Sequence, residues 1–423
     1  MKLAIHFYNK YLKAQYNLSP LFLNFHMQMK TIIENVQLSP DKTITFTLKD
    51  NAINIFEEPP NSLWTFDLEG RLIGMFINNN NYRRTLNNNY YLKLRSSIEN
   101  EYFRDIEQIP TTEIAPLIKQ SHNLIRKYQD RLSSVFHVLL AFILKMNPTA
   151  SQNSAQEFDN IYLPISILPP DQYMSLVVQI TEGCNYNQCT FCNFYRDRPF
   201  KIKTDDELKN HIRQVDTFFG KGISLRKSIF LADANALAIP QKRLVNGLKL
   251  IRNQFPQFTN YYSFIDVFTG IKKSATDFQQ LNELGIKRVY LGVESGNNDL
   301  MLFLNKHQLN KDIIELTCNL KKGGVNVGII FLIGAGGNKY AKQHLTDSIR
   351  LLNQLPLGKD DIIYLSELYE TNSNYEKSMA EQNITLPTRH EIRQLSNEFK
   401  TRLNEQYSND VKVSVYDINQ FFY

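Results

Sequence analysis

Thr181-Glu182-Gly183-Cys184-Asn185-Tyr186-Asn187-Gln188-Cys189-Thr190-Phe191-Cys192 carries three of the chain's four cysteines at the spacing C-x4-C-x2-C. The apolar run Leu176-Val177-Val178-Gln179-Ile180 precedes it and reads as a buried strand, so the cysteines fall on the loop that leaves that strand. Three thiolates on one tight loop can hold three irons of a [4Fe–4S] cluster and leave the fourth iron open to a further ligand. They can also serve a zinc ion whose fourth ligand comes from elsewhere, or lie inert in a core. A disulfide framework does not suit a chain of 423 residues with four cysteines.

Outward from the cysteines, strands alternate with helical patterns. The strands fall at about 176–181, 228–232, 261–265, 288–293, 327–333 and 361–366. Between them lie helical runs at Asp205–Phe219, Gln241–Gln254, Ala275–Leu284, Asp312–Lys322 and Tyr340–Gln354. This order predicts an α/β fold with a parallel sheet. Right-handed crossovers roll such a sheet into an open (β/α)6 partial barrel. Sites in such barrels lie at the C-terminal strand ends, where the βα loops converge. The cysteine loop follows one such end.

The region from about 170 to 370 resembles the radical S-adenosylmethionine (SAM) superfamily. That family has C-x3-C-x2-C with an aromatic before the third cysteine. Phe191 supplies the aromatic, and the first gap here is one residue longer. Ile229-Phe230-Leu231-Ala232-Asp233-Ala234-Asn235-Ala236-Leu237 resembles the second strand with its SAM-binding turn. Val289-Tyr290-Leu291-Gly292-Val293-Glu294-Ser295-Gly296 resembles the fourth strand with its ribose position, and Val327-Gly328-Ile329-Ile330-Phe331-Leu332-Ile333-Gly334 the fifth, which backs the adenine. The nearest branch includes oxygen-independent coproporphyrinogen oxidase and the elongator catalytic subunit. The resemblance implies a partial TIM barrel, a [4Fe–4S] cluster and SAM. It also implies an electron donor such as a flavodoxin or ferredoxin, and reductive cleavage of SAM to methionine and a 5′-deoxyadenosyl radical that abstracts hydrogen from substrate. The cofactor does the hard chemistry and the protein positions and shields it.

On this resemblance Cys184, Cys189 and Cys192 ligate the cluster, and Phe191 packs near the adenine unless it is an ordinary core aromatic. Asp233 stands where the family has Gly-Gly-Glu. It either accepts from the SAM ammonium group or caps a helix, with Asn235 a second candidate for the ammonium. Glu294 accepts from the ribose hydroxyls or forms a surface ion pair. Gly334, Gly336 and Gly337 let backbone approach the adenine. Their spacing, Gly334-Ala335-Gly336-Gly337, is not that of a dinucleotide site. Asp266, Glu367 and Tyr369, with Tyr195, Arg196 and Arg198, are weighed as substrate contacts against solvated loop residues. Cys318 reads as buried and structural, and no second cysteine cluster is available for an auxiliary centre.

Residues 1–165 read as an N-terminal α+β region, 166–370 as the barrel core and 371–423 as a C-terminal extension. In the extension, 389–407 is helical and Val411-Lys412-Val413-Ser414-Val415-Tyr416 is a strand at a sheet edge. The first region has a hairpin turning at Glu69-Gly70, a turn at Asn78 to Asn81, and helical periodicity across 113–146. Asn147 to Asn160 reads as a linker or mobile loop. The richness in asparagine reads as base-composition bias.

Charge is balanced: 17 basic against 15 acidic residues in 1–170, and 31 against 27 in the remainder. That weakens a nucleic-acid partner. An RNA-modifying alternative would use Tyr82, Arg83, Arg84, Tyr90 and Tyr91 as contacts. A second alternative is a metal-binding scaffold whose SAM pocket has decayed, favoured by the altered turn at Asp233. Met1–Lys10 lacks a signal-peptide core, and Val135–Leu144 is too short to cross a bilayer. A cytoplasmic, reducing setting without membrane partners is expected, with a small-molecule or protein substrate.

Overall fold

The computed structural model describes residues 31–98, 101–368, 371–407 and 410–423. The readings on Met1–Lys10 and Tyr369 lie outside the described residues. Two compact units emerge: the described residues up to Leu94 with Glu107–Ala155 and Gly220–Leu225, and Arg95–Ile106 with Gln156–Phe219 and Arg226–Tyr423.

In the first unit, β1 (Ile32–Ser39), β2 (Lys42–Leu48), β3 (Ile53–Glu58), β4 (Ser62–Phe66), β5 (Leu72–Ile77) and β6 (Asn80–Arg84) pair antiparallel in chain order. β7 (Tyr90–Ile98) and β8 (Glu101–Ile109) complete the sheet order. Alternation puts Ile44, Phe46, Ile53, Ile55, Trp64 and Phe66 on one buried face. Ile114 and Ile125 of α1 (Thr111–Tyr128) and Phe136, Leu140 and Ile143 of α2 (Ser134–Lys145) pack in the same core. The expected hairpin at Glu69-Gly70 forms, held by Asp67, whose Oδ1 accepts from the Glu69 and Arg71 N–H groups at 2.9 and 2.8 Å. Asn61, Asn78, Asn79 and Asn88 all have positive φ. Asparagine tolerates that conformation better than other non-glycine residues, so these asparagines make the turns and are not merely compositional bias.

The stretch read as a linker is helix α3 (Pro148–Ile161). Asn147 accepts the Ala150 N–H at 2.9 Å, and Pro148 occupies a first-turn position where its missing N–H is harmless.

In the second unit, β9 (Leu176–Gln179), β12 (Ile229–Ala232), β13 (Tyr261–Ile265), β14 (Ile286–Glu294), β15 (Asn326–Ile333), β16 (Ile362–Glu367) and β17 (Lys412–Tyr416) form a parallel sheet in that order. Parallel strands covered on both faces read as unbroken apolar runs, and β9, β12 and β16 are buried at every position. The crossover helices include α4 (Asp205–Phe219), α5 (Gln241–Gln254), α6 (Val267–Gly270), α7 (Ala275–Glu283), α8 (Asn298–Phe303), α9 (Asn310–Lys322) and α10 (Gly337–Leu352). α11 (Ser373–Glu381) and α12 (Arg389–Tyr407) precede β17, which adds a seventh strand beside β16. At the N-terminal strand ends Asp171 accepts from the Tyr290 and Tyr364 hydroxyls at 2.5 and 2.7 Å and pairs with Arg288 at 2.9 Å. No helix among the described residues is long and apolar enough to cross a membrane.

Two buried histidines couple this fold to pH. Burial lowers His211 to about 3 and His344 to about 4. His211 Nε2 accepts the Gln179 N–H at 3.0 Å, so a proton on that nitrogen breaks the bond. Each unfolded imidazole binds a proton below its ordinary 6.5, while the folded one stays neutral. Unfolding free energy should therefore fall by about 1.4 kcal/mol per pH unit per histidine as pH drops from the ordinary value to the folded one. His211→Gln should flatten part of that slope in urea unfolding of the metal-free chain followed from neutral to acid pH.

Candidate metal centre

β10 (Thr181–Glu182) and β11 (Lys201–Ile202) pair as a short antiparallel clip at the base of the cysteine loop. Glu182 and Lys203 add an ion pair there. Cys184, Cys189 and Cys192 are half-buried free thiols. Burial pushes Cys189 up to about 12, with Lys306 opposing and Glu294 and the other two thiols adding to the rise. Cys192 is raised by the same burial. Burial thus favours the protonated form of Cys189 and Cys192, which a bound cation of high charge would displace. Among the described residues no three His, Cys, Asp or Glu side chains are gathered round one point as a single ion requires. One zinc would need each sulfur about 2.3 Å away, whereas in an iron–sulfur cluster each thiolate takes its own iron.

Glu294 ends β14 at a register shift, with φ 59° and little exposure. Its Oε1 receives Lys306 Nζ at 2.8 Å, and the same ammonium donates to the Gly292 carbonyl at 2.5 Å. A Cβ at Gly292 would stand 2.8 Å from that Nζ and closer still to the carboxylate, so a side chain there would have to displace the pair. Burial works against the Lys306 charge, but Glu294 and Cys189 outweigh it and raise its pKa. Lys306 was not foreseen. It lies in a polar loop without periodicity, and the only hint was that a carboxylate ending a buried strand needs a cation.

Asn235 is buried, and its Nδ2 donates to Asp266 Oδ2 at 2.6 Å, Thr269 Oγ1 at 2.7 Å and Asn185 Oδ1 at 3.2 Å. Its Oδ1 is buried without a protein partner, as is Gln308 Oε1. Asp266 also accepts from Asn185 Nδ2 at 2.9 Å and caps α6 through Thr269. Beside Cys184 the structure thus joins the ends of β12 and β13, and beside Cys189 it sets the Glu294–Lys306 pair. Orphaned acceptors in this polar ring suit a ligand that brings N–H or O–H donors.

Several expected roles are corrected. Asp233 caps no helix. Its Oδ1 accepts from Gln179 Nε2 at 2.8 Å, its Oδ2 from the Gly183 N–H at 2.9 Å, and Arg198 Nε stands 3.3 Å away as an ion pair without a directed hydrogen bond. Each oxygen thus already serves the chain's own groups, and Arg198 supplies its counter-charge. Gly334 has φ 89°, and a Cβ there would stand 3.0 Å from Ile392, so the backbone conformation and the chain's own packing favour the glycine. Glu367 is buried in a two-pronged pair with Arg393 at 2.9 and 2.8 Å. Arg196 braces loop carbonyls, and buried Tyr195 accepts through its own carbonyl from Asn187 Nδ2 at 2.8 Å. Phe191 is partly buried against a cluster that includes Leu300, Met301, Phe303, Leu332 and Tyr375. Cys318 is half-buried rather than buried. Of the RNA candidates, Tyr90 is buried with its hydroxyl on Asn88 Oδ1 at 3.0 Å, and Arg84 donates to the same oxygen at 2.8 Å, so neither is presented for stacking.

Residues 178–352 match the family model described as the radical SAM superfamily. This segment is a radical SAM domain. Its cofactors are a [4Fe–4S] cluster and SAM. No curated protein matches the chain. Among solved structures it is similar to coproporphyrinogen III oxidase (HemN) of Escherichia coli, a radical SAM enzyme: 16% identity over 55% of this chain and 52% of that one, TM-score 0.39. It is also similar to the Methanocaldococcus infernus Elp3, at 13% identity over 57% and 56%, TM-score 0.36. A third is the radical SAM methyltransferase TsrM of Kitasatospora setae, at 13% over 46% and 36%, TM-score 0.36. The chain spans about a third of the length of TsrM and of a cobalamin-dependent radical SAM enzyme, OxsB.

The Glu294–Lys306 pair of the radical SAM domain tests how tightly its mouth is electrostatically balanced. Lys306→Met should destabilise the chain by about 3–5 kcal/mol, because Glu294 is left as a buried unpaired anion. Adding Glu294→Gln should recover most of that loss in a denaturant-unfolding double-mutant cycle. A loss in the double variant equal to the sum of the two single losses would show the pair to be uncoupled.

Proposed function

We propose that the chain is a radical SAM enzyme with one cluster, acting on a small molecule or a protein side chain and drawing its electron from a one-electron donor protein. Cys184, Cys189 and Cys192 hold the cluster. The observation that carries this reading is that one loop with three half-buried thiols, the orphaned Asn235 acceptor and the Glu294–Lys306 pair all lie at the C-terminal ends of one parallel sheet. When bound, the cluster and SAM supply reductive cleavage and a hydrogen-abstracting radical.

The chain's own residues bind and shield. Asn235 Oδ1 accepts from the SAM ammonium group, the role that the committed oxygens of Asp233 do not take. Glu294 receives Lys306 on Oε1 alone and offers Oε2 to a ribose hydroxyl. Phe191, in its apolar cluster, lies beside the adenine and keeps water out. The altered turn at Asp233 ties down the cysteine loop, which removes the one feature that favoured a decayed scaffold. Buried Tyr90 and tethered Arg84 give the RNA-modifying reading no support.

Anaerobically reconstituted protein should bind about four irons per chain. Cys184→Ala, Cys189→Ala or Cys192→Ala should abolish that content, and Cys318→Ala should leave it intact. Reduced by dithionite, the wild type should release 5′-deoxyadenosine and methionine from SAM. Asn235→Ala and Glu294→Ala should keep their iron but weaken SAM binding about ten- to a hundredfold, as loss of a charge-assisted contact requires. A wild type with a full cluster that yields no more deoxyadenosine than Cys189→Ala, across several reductants, would defeat the enzymatic reading.

A further inference from the structure

Between Cys184 and Cys189 the first gap holds Asn185, Tyr186, Asn187 and Gln188, and Asn187 adopts φ 47°. Asn187 is fixed on three sides. Its N–H points at Cys184 Sγ at 3.3 Å, its Nδ2 donates to the Tyr195 carbonyl at 2.8 Å, and its own carbonyl accepts from Arg196 Nη1. The same guanidinium donates from Nη2 to the Cys189 carbonyl at 2.8 Å and from Nε to the Cys192 carbonyl at 3.2 Å. One planar fork therefore ties together three carbonyls of the loop, two of them on thiol-bearing residues. At the loop's stem, Asp233 holds Gly183 at the entry and Arg198 at the exit.

Two physical consequences follow. The guanidinium's charge offsets the negative ends of the three loop carbonyls that it binds. The fork also fixes the spacing of its three carbonyls, which a flexible point-charge ammonium cannot do. Arg196 itself is exposed and binds only main-chain oxygens, so it acts through the loop and not on a substrate.

We propose that Arg196 and Asn187 form a clasp that holds the lengthened cysteine loop in its ligating shape before the cluster arrives, with Arg196 as a positioning residue. This rests on the cluster reading above. Without the clasp, a gap of four residues leaves Cys184 and Cys189 free to drift, and a loaded cluster is lost faster. Arg196→Lys keeps the charge and loses the fork, so it should behave like Arg196→Gln and not like the wild type. Asn187→Gly keeps the left-handed backbone and loses the bond to Tyr195, so it should fall between.

The test uses the full chain and two readouts. The first is alkylation of each cysteine in the metal-free protein, followed by mass spectrometry with Cys318 as internal reference. Arg196→Gln and Arg196→Lys should speed labelling of Cys189 and Cys192 by about tenfold, the factor that corresponds to losing hydrogen bonds worth roughly 1.4 kcal/mol, while Cys318 stays unchanged. The second is cluster loss to a ferrous chelator from anaerobically reconstituted protein, expected to be faster in both Arg196 variants than in the wild type. Labelling and cluster retention in Arg196→Gln that match a fully loaded wild type overturn the clasp alone. Wild-type behaviour in Arg196→Lys with loss in Arg196→Gln also overturns it, since charge and not the fork would then hold the loop. A wild type that takes up no iron overturns the cluster reading, and the clasp with it. A general loss of structure would show as faster labelling of Cys318, and the clasp then stands or falls on Asn187→Gly, which must speed Cys184 and Cys189 above the Cys318 rate.

Discussion

Seven strands running in one direction bring all their C-terminal ends to one mouth, and nearly every residue of the site descends from that arrangement. Neighbouring strand ends in a parallel sheet lie about 4.8 Å apart. Side chains one strand apart can therefore bond directly across the mouth, as Asn235 after β12 does with Asp266 after β13. The cysteine loop is fastened to this rim and does not stand free above it. Asp233, at the end of β12, takes hold of Gly183 just before the first cysteine, while Gln179 at the end of β9 holds Asp233.

Such a rim is electrostatically demanding. Glu294, Lys306, Asp233, Arg198 and the three thiols all lose water on folding, and burying an unpaired charge is costly. The chain answers by pairing. Lys306 meets Glu294, Arg198 meets Asp233, and Arg393 meets Glu367. Cys189 and Cys192 stand apart: their displacement upward, led by burial, marks a place where the protein supplies too little positive charge for thiolates. An iron–sulfur cluster supplies what is missing, and the orphaned oxygens of Asn235 and Gln308 mark where donors are still wanted.

The first cysteine gap holds four residues, one more than the spacing usual in the family it resembles. Asn187 takes the left-handed conformation, which asparagine tolerates through local hydrogen bonding. The same property explains the asparagines at the hairpin turns of the first unit, where Asn78 and Asn79 both have positive φ between β5 and β6. A two-residue turn of that kind matches the twist of the strands it joins.

Local pattern determined much of this protein. Unbroken apolar runs and intervening helical periods gave the parallel strands and the bounds of α4 and α5, because burial on both faces of a sheet writes itself into consecutive residues. The cysteine spacing likewise marked the candidate metal loop, since its three thiols are close in sequence. Only the tertiary structure decided what Asp233, Glu294 and Arg196 do. Asp233 read as an acceptor for an ammonium group or a helix cap, and the structure gives it Gln179 and Gly183 as donors. Glu294 acquired Lys306 from a loop with no periodicity. Arg196 looked like a substrate contact and proved to bind main-chain carbonyls. Asn147 to Asn160 read as a linker because polar residues obscured a capped helix. A hydrogen-bond partner is chosen by distance in space, and a single sequence records no such distance for residues that meet only once the sheet has rolled.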